Sequence, residues 1–199
     1  MINQRLEKQI QFIIEVDQVK QIFRKNYLMD NSRRENDAEH SWHLALMAMA
    51  LSEHVNAKKL DLLKVFKMVI IHDLVEIKSG DRFAYSEQEN KGKKESEEKA
   101  AHQLFGMLPA EQREEMLNIW HEFEAMETNE ARFAAALDRL QPLLHNYKTQ
   151  ASGWENYRVT REDVLKRNQD TRDIAPALWQ YIKKVIAEMD QKGYFSALY

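Results

Sequence analysis

From Leu6 to Phe23 apolar residues recur at helical spacing (Leu6, Ile10, Ile13 or Ile14, Val16, Val19, Phe23), which predicts an amphipathic first helix packed by one face. The period then lapses. In RKNYLMDNSRREND cations mix with turn-forming Asn, Asp and Ser, so the stretch reads as an irregular loop long enough to carry function. Asn36 or Asp37 caps the next helix, Glu39 stands where a capping box needs it, and HSWHLALMAMALSEHV is apolar enough to be central. Leu60 to Ile77 makes another helix, ended by KSGD. Its last turn reads IIHDLVEI: an apolar run closes on His72, Asp73 and Glu76 and then resumes.

Further along, RFAYSEQENKGKK is polar and reads as a mobile loop, and Glu95 to Leu108 is helical. Pro109 opens the following helix at a favoured position, to about Phe123. Thr128 caps the segment containing FAAALDRLQPLL, in which Pro142 is expected to kink the helix or cost a backbone bond. ASGWENYRV is a loop, Thr160 caps REDVLKRNQD, and Ala175 to Asp190 forms the last helix.

Composition narrows the class. Five glycines and three prolines in 199 residues, with abundant strong helix formers, point to an all-α chain, and the length suits a single domain over residues 1–199. No repeat or linker divides it. A formal net charge of −3 excludes a general basic field for nucleic acid or an anionic membrane. The lack of cysteine excludes disulfides, thiolate metal sites and a cysteine nucleophile, and agrees with a reducing, cytoplasmic setting. The N-terminus lacks the order of a secretory signal, and no apolar stretch reaches the roughly 20 residues of a spanning helix, so a soluble protein is expected.

An ionised carboxylate in an apolar core is costly unless it is paired, hydrogen-bonded or bound to a metal. His40 opens the second helix, His72 and Asp73 close the third, and Asp138 sits among Ala and Leu. Neighbours on a helix point about 100° apart, so His72 and Asp73 reach one ion only where the helix wall faces a common centre. His40 and Asp138 can complete a set of two imidazoles and two carboxylates around a divalent cation. Without thiolate, that set suits Mn, Fe, Co, Ni, Zn or Mg.

Glu76, one turn beyond, can face the same cavity and move a proton, and Asp81 after Gly80 can orient a ligand or water. Among the loop cations Arg33, Arg34, Lys93 and Lys94, Arg33 offers a two-pronged contact to phosphate, and Lys93 is the second candidate. Plainer readings exist for each group. His40 can be a cap, Asp73 a partner of Lys64 or Lys67, Asp138 of Arg132 or Arg139, Glu76 a solvated helix end, and His43 a hydrogen-bonded core histidine.

The order His40, His72-Asp73, Asp138 resembles the H…HD…D signature of the HD-domain metal-dependent phosphohydrolases. RRENDAEHSWHLALMA, IIHDLVEIKSGD and RFAAALDRLQP look like the branch that includes bacterial 5′-deoxynucleotidases and related small HD hydrolases, over about residues 20–150. The resemblance implies an all-α HD-domain bundle with C-terminal helices packed on that core. It also implies one divalent metal on the residues matching His40, His72, Asp73 and Asp138, and hydrolysis of a phosphate ester, with a nucleoside 5′-monophosphate as the leading substrate. Glu76 and Asp81 match residues that activate the water and the leaving group, and members are often homodimers.

In those enzymes an Arg-Trp pair in the N-terminal loop senses the deoxyribose, whereas the corresponding positions here are Lys25 and Asn26. Sugar selectivity is therefore open. Two rivals stand beside a nucleotidase: a hydrolase of another phosphorylated metabolite or a nucleoside triphosphate, and a metal- and nucleotide-binding sensor without turnover. Glu76 argues against the sensor, which needs no proton-transfer group.

Overall fold

In a computed structural model that describes residues 3–196, helices supply nearly all the regular structure and one apolar core joins them. Helix α1 spans Gln4–Val16, with the Asn3 side chain accepting from the Arg5 N–H. It stops short of Phe23. Asp17–Gln21 tighten into a 3-10 turn that still buries Val19, so apolar spacing continues where the α-helix does not.

The stretch expected to be irregular is a β-hairpin. Strands β1 (Phe23–Tyr27) and β2 (Arg34–Asn36) pair antiparallel, Phe23 opposite Asn36 and Tyr27 opposite Arg34. More residues separate the first members of those pairs than the second, so β1 bulges, and Arg24 lies inside the bulge. The turn closes through the Leu28 N–H on the Arg33 carbonyl at 2.8 Å, with Asn31 at φ 61°, a conformation asparagine tolerates. Strands this short give too little alternation to read.

Helix α2 (Asp37–Leu51) starts on the expected capping box: Asn36 Oδ1 accepts from the Glu39 N–H at 3.0 Å, and Glu39 Oε2 accepts from the Asn36 N–H at 3.3 Å. The helix expected over Leu60 to Ile77 is split. Helix α3 covers Leu62–Ile71, His72–Val75 form a 3-10 turn, and a short α4 (Glu76–Ser79) ends at Gly80, whose φ of +76° suits glycine. At the break the His72 Nδ1–H donates to the Val69 carbonyl at 3.1 Å, so a side chain satisfies a main-chain acceptor near the helix end.

The 82–94 stretch is also more ordered than its polarity suggests. It holds α5 (Glu87–Asn90), tied down by Asn90 Nδ2 donating to the Phe83 and Ser86 carbonyls, and α6 begins at Lys93 (Lys93–Phe105). Then follow α7 (Ala110–Ala125) and α8 (Asn129–Lys148), the latter capped by Thr128. Helix α8 is the axis of the bundle, burying Phe133, Leu137 and Leu140 against α2, α3 and α7. Pro142 removes the N–H that would meet the Asp138 carbonyl, which loosens the helix beside a site residue. Helices α9 (Arg161–Asn168), α10 (Thr171–Ile174) and α11 (Pro176–Gln191) close the far side, with Ile182, Ile186 and Met189 fully buried.

Candidate metal centre

Three elements bring the expected ligands together. His40 comes from the first turn of α2, His72 and Asp73 from the 3-10 turn after α3, and Asp138 from the middle of α8. His40 Nε2 lies 3.1 Å from Asp138 Oδ1 and 3.7 Å from Asp73 Oδ2; His72 Nε2 lies 3.1 Å from Asp73 Oδ2 and 3.6 Å from Asp138 Oδ1. One atom from each of the four falls within 4.8 Å of the others. Both imidazoles are buried, and His72 packs against the Phe123 ring at 4.9 Å.

The chemistry of these donors fits a divalent cation. Because the His72 Nδ1–H is spent on the Val69 carbonyl, the unprotonated ring has its lone pair on Nε2, which faces the cluster and has no hydrogen-bond partner. His40 presents Nε2 in the same direction, while its Nδ1 lies 3.7 Å from Glu35 Oε2. Two nitrogens and two carboxylate oxygens make a set for a borderline or hard divalent ion. Without a cation a proton substitutes. Burial alone would depress His72, but Asp73 and Asp138 outweigh it and raise the imidazole to about 10. His40 goes the other way, to about 4, from burial and the Arg24 charge. Burial opposes ionisation of Asp73 and Asp138 too, but the facing imidazoles hold both below the usual carboxylate range.

The plainer pairings are taken up elsewhere. Lys64 binds Glu122 and Lys67 binds Glu115, while Arg132 meets Asp173 and Arg139 meets Asp170. Glu76 is buried at 5 % exposure, and its Oε2 lacks a partner. In a 3-10 turn residues i and i+3 eclipse, so Glu76 comes beneath Asp73, and with Asp37 the three carboxylates share one space. Burial, then Asp73 and Asp37, push the Glu76 carboxyl well above its ordinary range. Asp81 follows the Gly80 turn, and burial raises it as well.

Of the two expected substrate cations, Lys93 lies near enough to the centre to feel its carboxylates and is ion-paired with Glu97 at 3.4 Å. Burial disfavours its charge, but Glu97, Glu76, Asp73 and Asp138 together raise its pKa. It lines a cleft of about 550 Å³ with Trp120, Glu124 and Arg167. Arg33 is engaged elsewhere: its guanidinium grips Glu39 at 2.9 and 2.5 Å on the exposed side of the hairpin, so the expected phosphate contact is not where the structure puts it.

The sequence reading missed Arg24. Its Nη1 donates to Asp73 Oδ2 at 2.5 Å and to Asp37 Oδ1 at 3.2 Å, while Nη2 lies 3.9 Å from Asp138 Oδ1. A buried guanidinium among four carboxylates holds its charge firmly despite burial. Lys25 and Asn26, matched above to the sugar-sensing pair, do not take this place, and Asn26 instead accepts from Asn146 at 2.9 Å. A cation is therefore present one position earlier. The signal was a bulge within a hairpin, which apolar periodicity does not register.

A helical bundle closed around two imidazoles and two carboxylates forms a cluster that could hold a divalent metal ion. The HD domain family model matches residues 16–179, and the chain belongs to that family. In class it is an HD-type metal-dependent phosphohydrolase. A solved structure from Magnetospirillum magnetotacticum, described as a predicted metal-dependent phosphohydrolase, superposes with a TM-score of 0.92 at 44% identity, covering 97% of this chain and 96% of its own. The 5′-deoxynucleotidase HDDC2 of Bos taurus is 28% identical over 185 residues, 91% of this chain and 83% of the relative. Its Homo sapiens counterpart is 28% identical over 148 residues, 74% of this chain and 68% of the relative. A Pyrococcus horikoshii structure at 22% identity, TM-score 0.65, covering 92% of this chain and 98% of its own, shares the fold.

Proposed function

We propose that the protein hydrolyses nucleoside 5′-monophosphates, with one divalent cation held by His40, His72, Asp73 and Asp138. The observation that carries the reading is the pair of Nε2 atoms and the two carboxylates converging beside Glu76, a buried carboxyl that burial and its acidic neighbours push towards the protonated form. A cation bound there supplies Lewis-acid polarisation of a phosphoryl oxygen and a lowered pKa for a water molecule.

The chain's own groups do the rest. Glu76 holds a proton at the buried carboxyl and hands it to the leaving alkoxide as the ester bond breaks, then recovers one from the attacking water. Asp81, fixed by the Gly80 turn, orients that water or a sugar hydroxyl. Arg24 and Lys93 offset charge on the phosphoryl oxygens, Arg24 by exchanging part of its contact with Asp73 for substrate. The 550 Å³ cleft beside Lys93 is of nucleoside size. The named activity of the HDDC2 relatives supports a nucleotide substrate, and the low identity leaves base and sugar to experiment.

Apolar side chains Trp42, Leu46 and Met49 stand exposed along one face of α2, with Leu6, Ile10 and Ile13 exposed on α1. A homodimer that covers these residues is part of the reading. The test is phosphate release from ribo- and deoxynucleoside 5′-monophosphates and triphosphates, with metal-stripped protein and protein restored with Mn, Co, Mg or Zn. Metal-dependent release from monophosphates is expected; nucleotide binding without release under every metal would leave a sensor.

A further inference from the structure

Beside the metal centre, β1, the loop following Asp81, α8 and α9 enclose a second, smaller cavity of about 60 Å³. Five cationic residues line it (Arg24, Lys25, Arg82, Arg139 and Arg167) against Asp81 as the carboxylate among the lining residues. Their charges are unequally balanced. Arg24 is committed to Asp37 and Asp73, and Arg139 to Asp170 at 2.9 Å. Among the described residues Arg82 donates to the Glu89 and Lys91 carbonyls, at 3.1 and 3.4 Å, and forms no ion pair, with the Glu89 carboxylate near enough to feel its charge. Arg167 lies 5.9 Å from the Tyr85 ring centre, and neither it nor Lys25 forms an ion pair among the described residues. The nearby Glu89 carboxylate accepts from the Phe83 N–H at 2.9 Å and the Tyr157 hydroxyl at 3.1 Å and offsets part of the Lys25 and Arg82 charge, so with Asp81 it leaves the five cations in excess.

Size decides what such a cavity can take. At about 10–15 Å³ per water-sized group it holds roughly four to six heavy atoms, the extent of a phosphate and too little for a nucleobase. A phosphate monoester carries close to two negative charges at neutral pH, matching the surplus of fixed cations in a confined space. The nucleoside itself has room in the larger cleft, which shares Ala84 and Arg167 with the small cavity.

We propose that this cavity binds a second phosphate group, carried by the same substrate molecule whose 5′-phosphate is hydrolysed, so that the preferred substrate class is a nucleotide bearing two separate phosphates. The inference rests on the nucleotidase reading and narrows it. Inorganic phosphate, the product, shares the same chemistry and is the rival occupant.

The experiment compares a nucleoside 5′-monophosphate with its 3′,5′-bisphosphate in the parent, Arg167→Gln and Lys25→Gln, on reconstituted enzyme, with inorganic phosphate titrated calorimetrically into metal-stripped protein. For the parent, the KM of the bisphosphate is expected to be at least about tenfold below that of the monophosphate, the worth of one charge-assisted hydrogen bond. In Arg167→Gln the ratio collapses towards one, with Lys25→Gln intermediate. Equal KM values in the parent overturn the proposal. If, besides, inorganic phosphate binds only when Arg167 is present, the cavity serves the free product. Should no phosphate be released from any nucleotide, the nucleotidase reading fails by itself; equilibrium binding of the two nucleotides to metal-stripped protein then decides the cavity, through the same Arg167-dependent ratio.

Discussion

Two clusters that α2 and α8 share with neighbouring elements have nearly the same parts and different chemistry. The first is His40, His72, Asp73 and Asp138; the second is Glu35, His43 and His145, whose ligand atoms also lie within 4.8 Å of one another. In the second, Gln141 stands among the acceptors. Its Nε2 donates to Glu35 Oε1 at 2.5 Å and to His145 Nε2 at 2.9 Å, with His43 Nδ1 at 3.4 Å. A neutral amide thus supplies the protons there, whereas in the first cluster the Arg24 guanidinium reaches Asp73 from one side and the two Nε2 atoms are left to a proton or a metal ion. Donor type and spacing alone do not make a metal centre; what fills the middle does.

The clusters touch through Glu35, one oxygen towards His40 Nδ1 and the other on Gln141. His145 is held in turn, its Nδ1–H donating to the Tyr27 carbonyl at 2.7 Å. Glu35 Oε2 stands 3.7 Å behind His40 Nδ1, with neither atom hydrogen-bonded, so the second cluster lies where it would steady a proposed metal ligand.

The comparison breaks most severely if a ligand of the first cluster can be lost without consequence. His72→Ala and Asp138→Asn are expected to drop bound metal to background and phosphate release with it, read by elemental analysis and turnover on the same sample. Glu76→Gln should keep the metal while slowing turnover by about 10²–10⁴-fold, the usual worth of a proton-transfer group. An unchanged rate would remove Glu76 from the chemistry. Next comes the group behind His40: Glu35→Gln is expected to weaken metal affinity by about 10–100-fold, measured by competition with a chelator. Gln141→Glu sharpens the contrast, since a carboxylate in place of the amide makes the second cluster a site of two imidazoles and two carboxylates. A second equivalent of Co or Zn should then bind.

The smallest effect expected is on stability. Burial raises Glu35 to about 7, and burial with the Asp73 charge raises Asp37 to about 7, above their ordinary values of 4.5 and 3.8. Native protein therefore holds protons that the unfolded chain has released, so this contribution is full below pH 4 and fades as pH rises to about 7. Against Glu35→Gln, the urea midpoint of metal-stripped parent protein should fall between pH 5 and 7.5, the depressed His40 acting alike in both. A parent midpoint that rises relative to the variant over that window would reverse the assignment.

How much of this was legible depended on the range of the signal. His40, His72, Asp73 and Asp138 could be grouped because ionisable residues stood out against apolar helices, and α8 and the Asn36 cap followed from periodicity and local hydrogen bonding. Arg24 could not. It lies in a bulge of a hairpin too short to alternate clearly, and its partners Asp37, Asp73 and Asp138 are 13, 49 and 114 residues away. Arg33 misled for the converse reason: a guanidinium in a loop looks free until Glu39, six residues on, is seen to occupy it. The Leu60 to Ile77 helix read as continuous because Val75 keeps its apolar place through the 3-10 turn.

The most direct test of the four-ligand centre is its metal stoichiometry. Protein stripped by a chelator, reloaded with Co and freed of excess metal should hold one equivalent per chain, and Asp138→Asn under the same treatment should hold none. One full equivalent retained by the folded Asp138→Asn protein, or none in the parent under any divalent ion, would contradict it.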